Sequence, residues 1–383
     1  MMFDKDTVNK FSALRTPFYY YDLEILDKTI DIIKDESSRY GYKIHFALKA
    51  NANEKILQRI SSAGFGADCV SGNEILMAIK CGFKPEEIVF AGVGKTDDEI
   101  LTGIKNDIFS FNIESQEEIR VINKLAEENN YTARISIRIN PNVNAFTHEY
   151  ITTGLEEAKF GINMWELEEV IEKIHASGNI ELIGLHFHIG SQIRRMSTFK
   201  SLCTRINELQ EWFEGHNAEI KHLNVGGGLA IDYKDPEKIT DFGEYFSIFN
   251  DHLKLQKGQV VHFEPGRSVI GQAGSLITRV LYIKGGRKTK YAIVDAGMTD
   301  LIRPALYQAY HKIENITSNE DLEKYNVVGP ICESSDSFGK YIDLPRTTRN
   351  DLLAIRSAGA YGEVMTSNYN LRNKAPAVFS TDL

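Results

Sequence analysis

A lysine closes the apolar run Ile44 to Leu48 in the stretch IHFALKAN, just before a helical segment that begins near Glu54. Lysine is among the residues least often buried, so Lys49 at the mouth of a core strand either snorkels to solvent or is held for its amine. Desolvation lowers the pKa of such an amine toward nucleophilic competence, which a Schiff base to an aldehyde requires. The turn Gly226 to Gly228 lets backbone amides approach a phosphate, and Ser191 and Gly266 are further donors of the same kind. Glu264, in EPGR, is a carboxylate that could keep a pyridine nitrogen protonated and so make the ring an electron sink. Pyridoxal phosphate fits this set, with the flat imidazole of His188 stacked on its ring. Taken singly, the glycine triplet also reads as a tight turn, and Glu264 as a strand-end carboxylate paired to an arginine.

His186 and His188 lie two apart on one strand and project to the same side. That spacing also occurs at metal sites of barrel hydrolases, but beyond Asp68 and Glu264 the chain offers no clear further ligands. Stacking is the better use of His188, and His186 reads as a satisfied core residue.

The elements that must carry these groups are legible from the alternation of short apolar runs with amphipathic stretches of about 10 to 15 residues, the signature of βαβ units and a parallel sheet. The runs are Ile44 to Leu48, Ala67 to Val70, Ile88 to Ala91, Ile108 to Ile113, Arg134 to Ile139, Leu182 to His188, Leu223 to Val225 and Val260 to Phe263. Eight such units over about 220 residues suit a (β/α)8 TIM-type barrel, whose reactive groups come from the C-terminal ends of the strands. Lys49, Asp68 and Ser71, Arg138 and Asn140, His188 and Ser191, Gly226 to Gly228, and Glu264 to Arg267 all fall at such ends. An open doubly wound sheet is the structural alternative. After Arg267 the pattern becomes β-rich, with runs at Ser275 to Ile283 and Tyr291 to Val294 and a hairpin signal at Gly285-Gly286. The expected domains are therefore a barrel over 31–265 and a mainly β C-terminal domain, 266–383, that recruits 1–30 through the aromatic strand Pro17 to Leu23. The polar start before that strand reads as loose.

Composition narrows the function classes. The 383 residues are 42% hydrophobic and 25% charged, enough for a sizeable core, and the net charge of -9 comes without a basic block. A nucleic-acid partner is not expected. No run approaches the roughly 20 apolar residues of a membrane span, and the start, MMFDKDTVNKF, carries acids where a signal peptide would be apolar. Four cysteines without CxxC spacing suggest neither disulfides nor structural zinc, and the expected location is the cytoplasm.

The segments FALKAN, GADCVSGNE, RINP, KFGI, GLHFHIGSQ, LNVGGGL, FEPGR, DAGMTDLIRPALY, VVGPICESSDSFG and SAGAYG resemble the fold-type III pyridoxal-phosphate decarboxylases, most closely the branch acting on diaminopimelate. The likeness spans about Thr16 to Val378. It implies that Lys49 carries the cofactor, that His188 stacks on its ring, that Glu264 faces its nitrogen, and that Ser191, Gly227, Gly228, Gly266, Arg267 and Tyr361 lie at its phosphate. Asp68 and Arg138, on the same rim, are counted with the cofactor set. The resemblance further implies that Arg267, Arg303, Tyr307, Glu333 and Tyr361 bind the substrate and that Cys332 is the general acid. It implies a homodimer in which Cys332 and Glu333 reach the partner's cofactor. Two departures stand out: Asn73 replaces a glycine of SGGE, and His148-Glu149-Tyr150 replaces HPY in a loop.

The implied activity is decarboxylation of meso-2,6-diaminopimelate to L-lysine and carbon dioxide through a Schiff base, the last step of lysine biosynthesis. A racemase of this fold class has an arginine at the ring nitrogen, so Glu264 argues for decarboxylation. A decarboxylase of a polyamine precursor such as carboxynorspermidine would share most of the rim, and RPALY together with CES speaks against it. An inactive regulatory homologue should have lost Lys49 or Cys332, and this chain keeps both.

Overall fold

The computed structural model describes residues 3–143, 159–286 and 289–383; the His148-Glu149-Tyr150 loop lies outside them. The chain divides into two compact units, one comprising Ile30–Ala230 and Asp241–Gly266, the other Met1–Thr29, Ile231–Thr240 and Arg267–Leu383.

In the first unit each of eight parallel strands pairs with the next in chain order, and the last returns to the first. They are Lys43–Ala47, Gly66–Cys69, Ile88–Phe90, Ser110–Ile113, Ala133–Arg138, Ile180–His186, His222–Asn224 and Val260–Phe263. Closure is set by Lys43 opposite His262 and Ile44 opposite Phe263. The sheet is thus a closed barrel and not an open one. The apolar runs read from the sequence all form strands, with ends shifted by a few residues.

Local chemistry explains the helices between the strands. Helix Gln116–Glu128 starts where Ser115 Oγ accepts the Glu118 amide, and it buries Ile119, Ile122, Leu125 and Ala126 at helical spacing. It ends at Asn129, followed by Asn130 in the left-handed region. Helix Asp97–Lys105 begins in a reciprocal cap, Thr96 Oγ1 accepting from Glu99 N and Glu99 Oε2 from Thr96 N. Each fully buried Ile or Leu on these faces contributes about 1.5–3 kcal/mol. Asn73, the departure from SGGE, sits exposed in the first turn of helix Gly72–Lys80, whose cap is Ser71.

The barrel interior also carries a line of imidazoles. His45 Nδ1 faces the Glu87 carbonyl at 3.0 Å, His45 Nε2 meets His262 Nδ1 at 2.9 Å, and His262 Nε2 meets His222 Nδ1 at 2.9 Å. A carbonyl oxygen only accepts, so His45 carries its proton on Nδ1. Neutral rings then donate in one direction along the line, each from Nδ1 to the oxygen or nitrogen before it. Phe109 stacks on His45 and His262 and meets His222 edge-on.

The second unit holds an eight-stranded sheet. Its main path runs Ile313–Asn315, Leu352–Ile355, Gly274–Gly285, Lys290–Val294, Leu322–Val328 and Ser337–Pro345. The N-terminal strand Phe18–Tyr21 joins it, antiparallel to Gly274–Gly285 and parallel to Ala377–Phe379. The polar start, expected to be loose, is instead a helix, Lys5–Ala13, capped by Asp4. Its Phe11 is fully buried against Phe3, Phe18 and Tyr20 with ring centroids 4.9–5.4 Å apart, and this burial fixes the helix despite its polar composition. Among the described residues no helix is long and apolar enough to cross a membrane.

Candidate active site

At the end of the first barrel strand the chain tightens into the 3-10 turn Leu48–Ala50, whose middle residue is Lys49. Its Nζ pairs with Asp68 Oδ2 at the end of the neighbouring strand. Asp68 is fully buried while the lysine side chain is 30% exposed, so the amine is anchored by a carboxylate yet reachable. Burial, and next the charge of Glu264, push the Asp68 carboxyl up to about 6 against the pull of Lys49.

Glu264 follows the last strand and is held on both oxygens. His186 Nε2 donates to Oε2 at 3.0 Å, and Asn224 Nδ2 donates to Oε1 at 2.7 Å. Burial alone would raise this carboxyl, but the His186 imidazole and the Lys49 ammonium outweigh it and hold Glu264 well below the usual carboxylate range. A permanently ionised, oriented carboxylate results. His188 is buried, and that burial, with Lys49 and Arg138 nearby, keeps its imidazole neutral. The Gly227 amide approaches His188 Nδ1 at 3.4 Å, which leaves Nε2 as the protonated nitrogen.

The glycine turn is stitched to its neighbours by backbone bonds. Glu264 N donates to Gly226 O at 2.8 Å, and Ile193 N donates to Gly228 O at 2.8 Å, setting the Ser191 loop beside the turn. Gly226 and Gly228 have φ of 71° and 98°, and a Cβ at either would lie 2.2 Å from the Phe187 carbonyl or 2.6 Å from that of Gly190. Only glycine fits this cradle. A Cβ on Gly266 would meet Ala47 and Ala50, so the EPGR loop packs directly on the Lys49 turn. Arg138 Nη1 is paired with Glu114 Oε1 at 2.7 Å, both side chains buried.

The second unit carries the other set. Arg267 and Arg303 are buried, and each donates from Nη1 to the Tyr233 hydroxyl, at 2.6 and 2.7 Å. Arg303 also meets His311 Nε2 at 2.9 Å, and His311 Nδ1 donates to the Arg356 carbonyl at 2.8 Å. The Arg267 guanidinium lies 4.8 Å from the Tyr361 ring centroid. Tyr361 itself has φ of 56°, a strained conformation for a bulky residue that its surroundings must impose. Tyr307 ends the short helix Arg303–Tyr307. Cys332 and Glu333 stand exposed in the loop before strand Ser337–Pro345. Asp336 braces that loop by accepting the Ile331 and Met298 amides, Asn370 accepts the Cys332 amide, and Tyr369 donates to Glu333.

Comparison with known proteins matches residues 26–271 to the family model described as pyridoxal-dependent decarboxylase, pyridoxal binding domain. A relative from Bacteroides thetaiotaomicron named diaminopimelate decarboxylase is 55% identical over 378 residues, covering 98% of this chain and 98% of its own. The chain belongs to the diaminopimelate decarboxylase family of pyridoxal-dependent decarboxylases.

Solved structures agree. The crystal structure of diaminopimelate decarboxylase from Helicobacter pylori complexed with L-lysine matches with a TM-score of 0.93 at 38% identity, over 98% of this chain and 94% of that one. The structure of the M. jannaschii diaminopimelate decarboxylase in co-complex with L-lysine matches with a TM-score of 0.90 at 34% identity, over 98% and 89%.

Set against this decarboxylase family, the site residues read from the sequence form two groups. Lys49, Asp68, Arg138, His188, Ser191, Gly227, Gly228, Glu264 and Gly266 belong to the barrel unit, and Arg267, Arg303, Tyr307, Cys332, Glu333 and Tyr361 to the other. The barrel residues fit pyridoxal phosphate on physical grounds: an anchored amine, an ionised carboxylate with fixed orientation, a glycine cradle, and a buried Asp68 Oδ1 with no hydrogen-bond partner among the described residues. Sequence reasoning missed Asn224, Glu114, Tyr233 and His311, and it took His186 for a satisfied core residue. His186 instead orients Glu264, and its Nδ1 is buried without a described partner. The alternating spacing of His186 and His188 was the available signal; nothing in the sequence pointed to Tyr233.

Proposed function

We propose that this decarboxylase removes the carboxylate of meso-2,6-diaminopimelate as carbon dioxide and releases L-lysine, using pyridoxal 5'-phosphate held in a barrel of the (β/α)8 type. The observation that carries the reading is Glu264, ionised and fixed by His186 and Asn224 in the same barrel as the Lys49 amine. When bound, the cofactor supplies an aldehyde that takes up amines and a protonated ring that withdraws electrons.

The protein's own groups do the rest. Lys49 provides the amine that holds the cofactor, with Asp68 as the partner that stores its proton. Glu264 keeps a proton on the ring nitrogen, His188 stacks on the ring, and Gly227, Gly228, Ser191, Gly266, Arg267 and Tyr361 take the phosphate. Arg138 is positioned for this set by Glu114. Arg267, Arg303, Tyr307, Tyr361 and Glu333 hold the far end of the substrate, which carries both a carboxylate and an ammonium and so calls for both signs of charge. Cys332 Sγ delivers the proton that replaces the departing carboxylate on the same carbon. The exposure of Cys332 and Glu333 supports their reaching a second copy of the chain, which makes the protein a homodimer with shared sites. In domain terms, 31–265 apart from the segment Ile231–Thr240 binds the cofactor, and 1–30 with 266–383 and that segment forms the β-rich part. Four unpaired cysteines fit a reducing compartment such as the cytoplasm.

The substrate assignment draws on the relatives that bear the name diaminopimelate decarboxylase and on those solved with L-lysine. Carbon dioxide release from diaminopimelate, lysine, ornithine, arginine and carboxynorspermidine tests it directly. Release from diaminopimelate alone is expected, and equal turnover of lysine or of carboxynorspermidine would reject it. Borohydride should fix the cofactor to the peptide containing Lys49.

A further inference from the structure

One hydroxyl oxygen in the second unit receives two guanidinium groups. Tyr233 is buried, and Arg267 Nη1 and Arg303 Nη1 donate to its oxygen at 2.6 and 2.7 Å. A phenol oxygen has two lone pairs, and here both are taken by cations. Arg303 has no carboxylate partner among the described residues. Its other contact is His311 Nε2, a neutral acceptor because His311 Nδ1 spends its proton on the Arg356 carbonyl, and its own Nε is buried without a partner. Two like charges are therefore drawn together on a single neutral atom, an arrangement that is costly unless an anion completes it.

We infer that Tyr233 is a specificity-determining positioning residue, its oxygen clamping Arg267 and Arg303 into one anion-binding pair for the distal carboxylate of the substrate. The inference rests on the substrate reading proposed above and extends it to a residue outside the expected set. Around the phenol stand Arg267 and Arg303, with the Arg303 guanidinium 5.0 Å from its ring centroid, and His311, edge-on at 5.1 Å; Tyr307 and Tyr361 act in turn on Arg267. Burial pushes the phenol up, but Arg267 and Arg303 more than offset it and set it below the usual tyrosine value. The same two cations that favour an ionised phenol also attract a carboxylate, so the two anions compete for one pair of arginines.

The test compares L-lysine, which retains the distal carboxylate, with cadaverine, which lacks it, as ligands of the holoenzyme. Tyr233→Phe keeps the ring contacts and removes the oxygen. It should weaken L-lysine binding roughly 10–100-fold, the loss of about one charge-assisted hydrogen bond, while cadaverine binding changes little. The KM for diaminopimelate should rise in parallel, with a smaller change in kcat. In the unmutated holoenzyme, the ultraviolet band of ionised tyrosine should reveal one phenol titrating below the usual tyrosine value of 10.0, and L-lysine but not cadaverine should shift it upward. This second measurement decides the matter even if the variant does not fold. Unchanged L-lysine binding, equal weakening for both ligands, or no early-ionising phenol would overturn the inference while leaving decarboxylation intact. Failure of the unmutated protein to bind L-lysine would overturn the substrate reading and the inference together.

Discussion

His186 Nε2 donates to Glu264 Oε2 at 3.0 Å, and the two side chains are 1% and 2% exposed. In so dry a setting burial works against the charge, and the His186 imidazole is the largest of the groups that keep the carboxylate ionised, ahead of the Lys49 ammonium. His186 ends the sixth barrel strand and Glu264 follows the eighth, so the contact exists only once both have aligned on the seventh strand between them.

His186→Leu should therefore lower kcat/KM roughly 10–100-fold, the effect of about one hydrogen bond to a charged group. His186→Gln, which can still donate, should recover part of that loss. Bound cofactor, followed by its absorbance, should remain in both variants. Full activity in His186→Leu would show that Asn224 alone suffices to fix Glu264.

The imidazole line makes stability depend on pH. Burial pulls His45 down to about 4 against the opposing charge of Glu264, and burial lowers His262 and His222 as well. Unfolded, each would titrate near 6.5. The unfolded chain thus binds more protons below that pH, and the stabilisation present above about 6.5 is lost as pH falls toward 4. Urea midpoints across this window should fall, and His45→Gln should flatten the slope. Identical slopes in the two proteins would assign the acid sensitivity to carboxylates.

Gly228→Ala places a Cβ 2.6 Å from the Gly190 carbonyl at φ of 98°, so the turn must open. Cofactor affinity should fall at least about 10-fold through loss of oriented amides, with a strain cost of about 1–3 kcal/mol in thermal stability. Cofactor release on dialysis, followed by fluorescence, provides the check. Retention equal to that of the unmutated protein would move the phosphate site elsewhere.

Mixing Lys49→Ala chains with Cys332→Ala chains tests the shared sites. Each variant alone should be inactive. Random exchange in a C2 dimer restores one intact site in about half of the dimers, hence about a quarter of full activity. No recovery after subunit exchange, verified by mixed-mass analysis, would place Lys49 and Cys332 of one chain in one site.

The sequence by itself determined the strand count, the residues at the strand ends, and the β-rich second unit. Those follow from side-chain periodicity and from glycine and proline chemistry, which act over a few residues. It also placed Lys49, His188, Glu264 and the glycine turn where chemistry could use them, since each stands at the C-terminal end of an apolar run. Only the tertiary structure decided what those groups touch. The Glu264 clamp joins residues 40 and 78 positions apart, and the Tyr233 pair joins residues 34 and 70 apart. The N-terminal helix, polar in composition, is held by Phe11 in a cluster assembled from distant strands. Periodicity tells which way a side chain points, whereas its partner depends on which strands the closed sheet brings together.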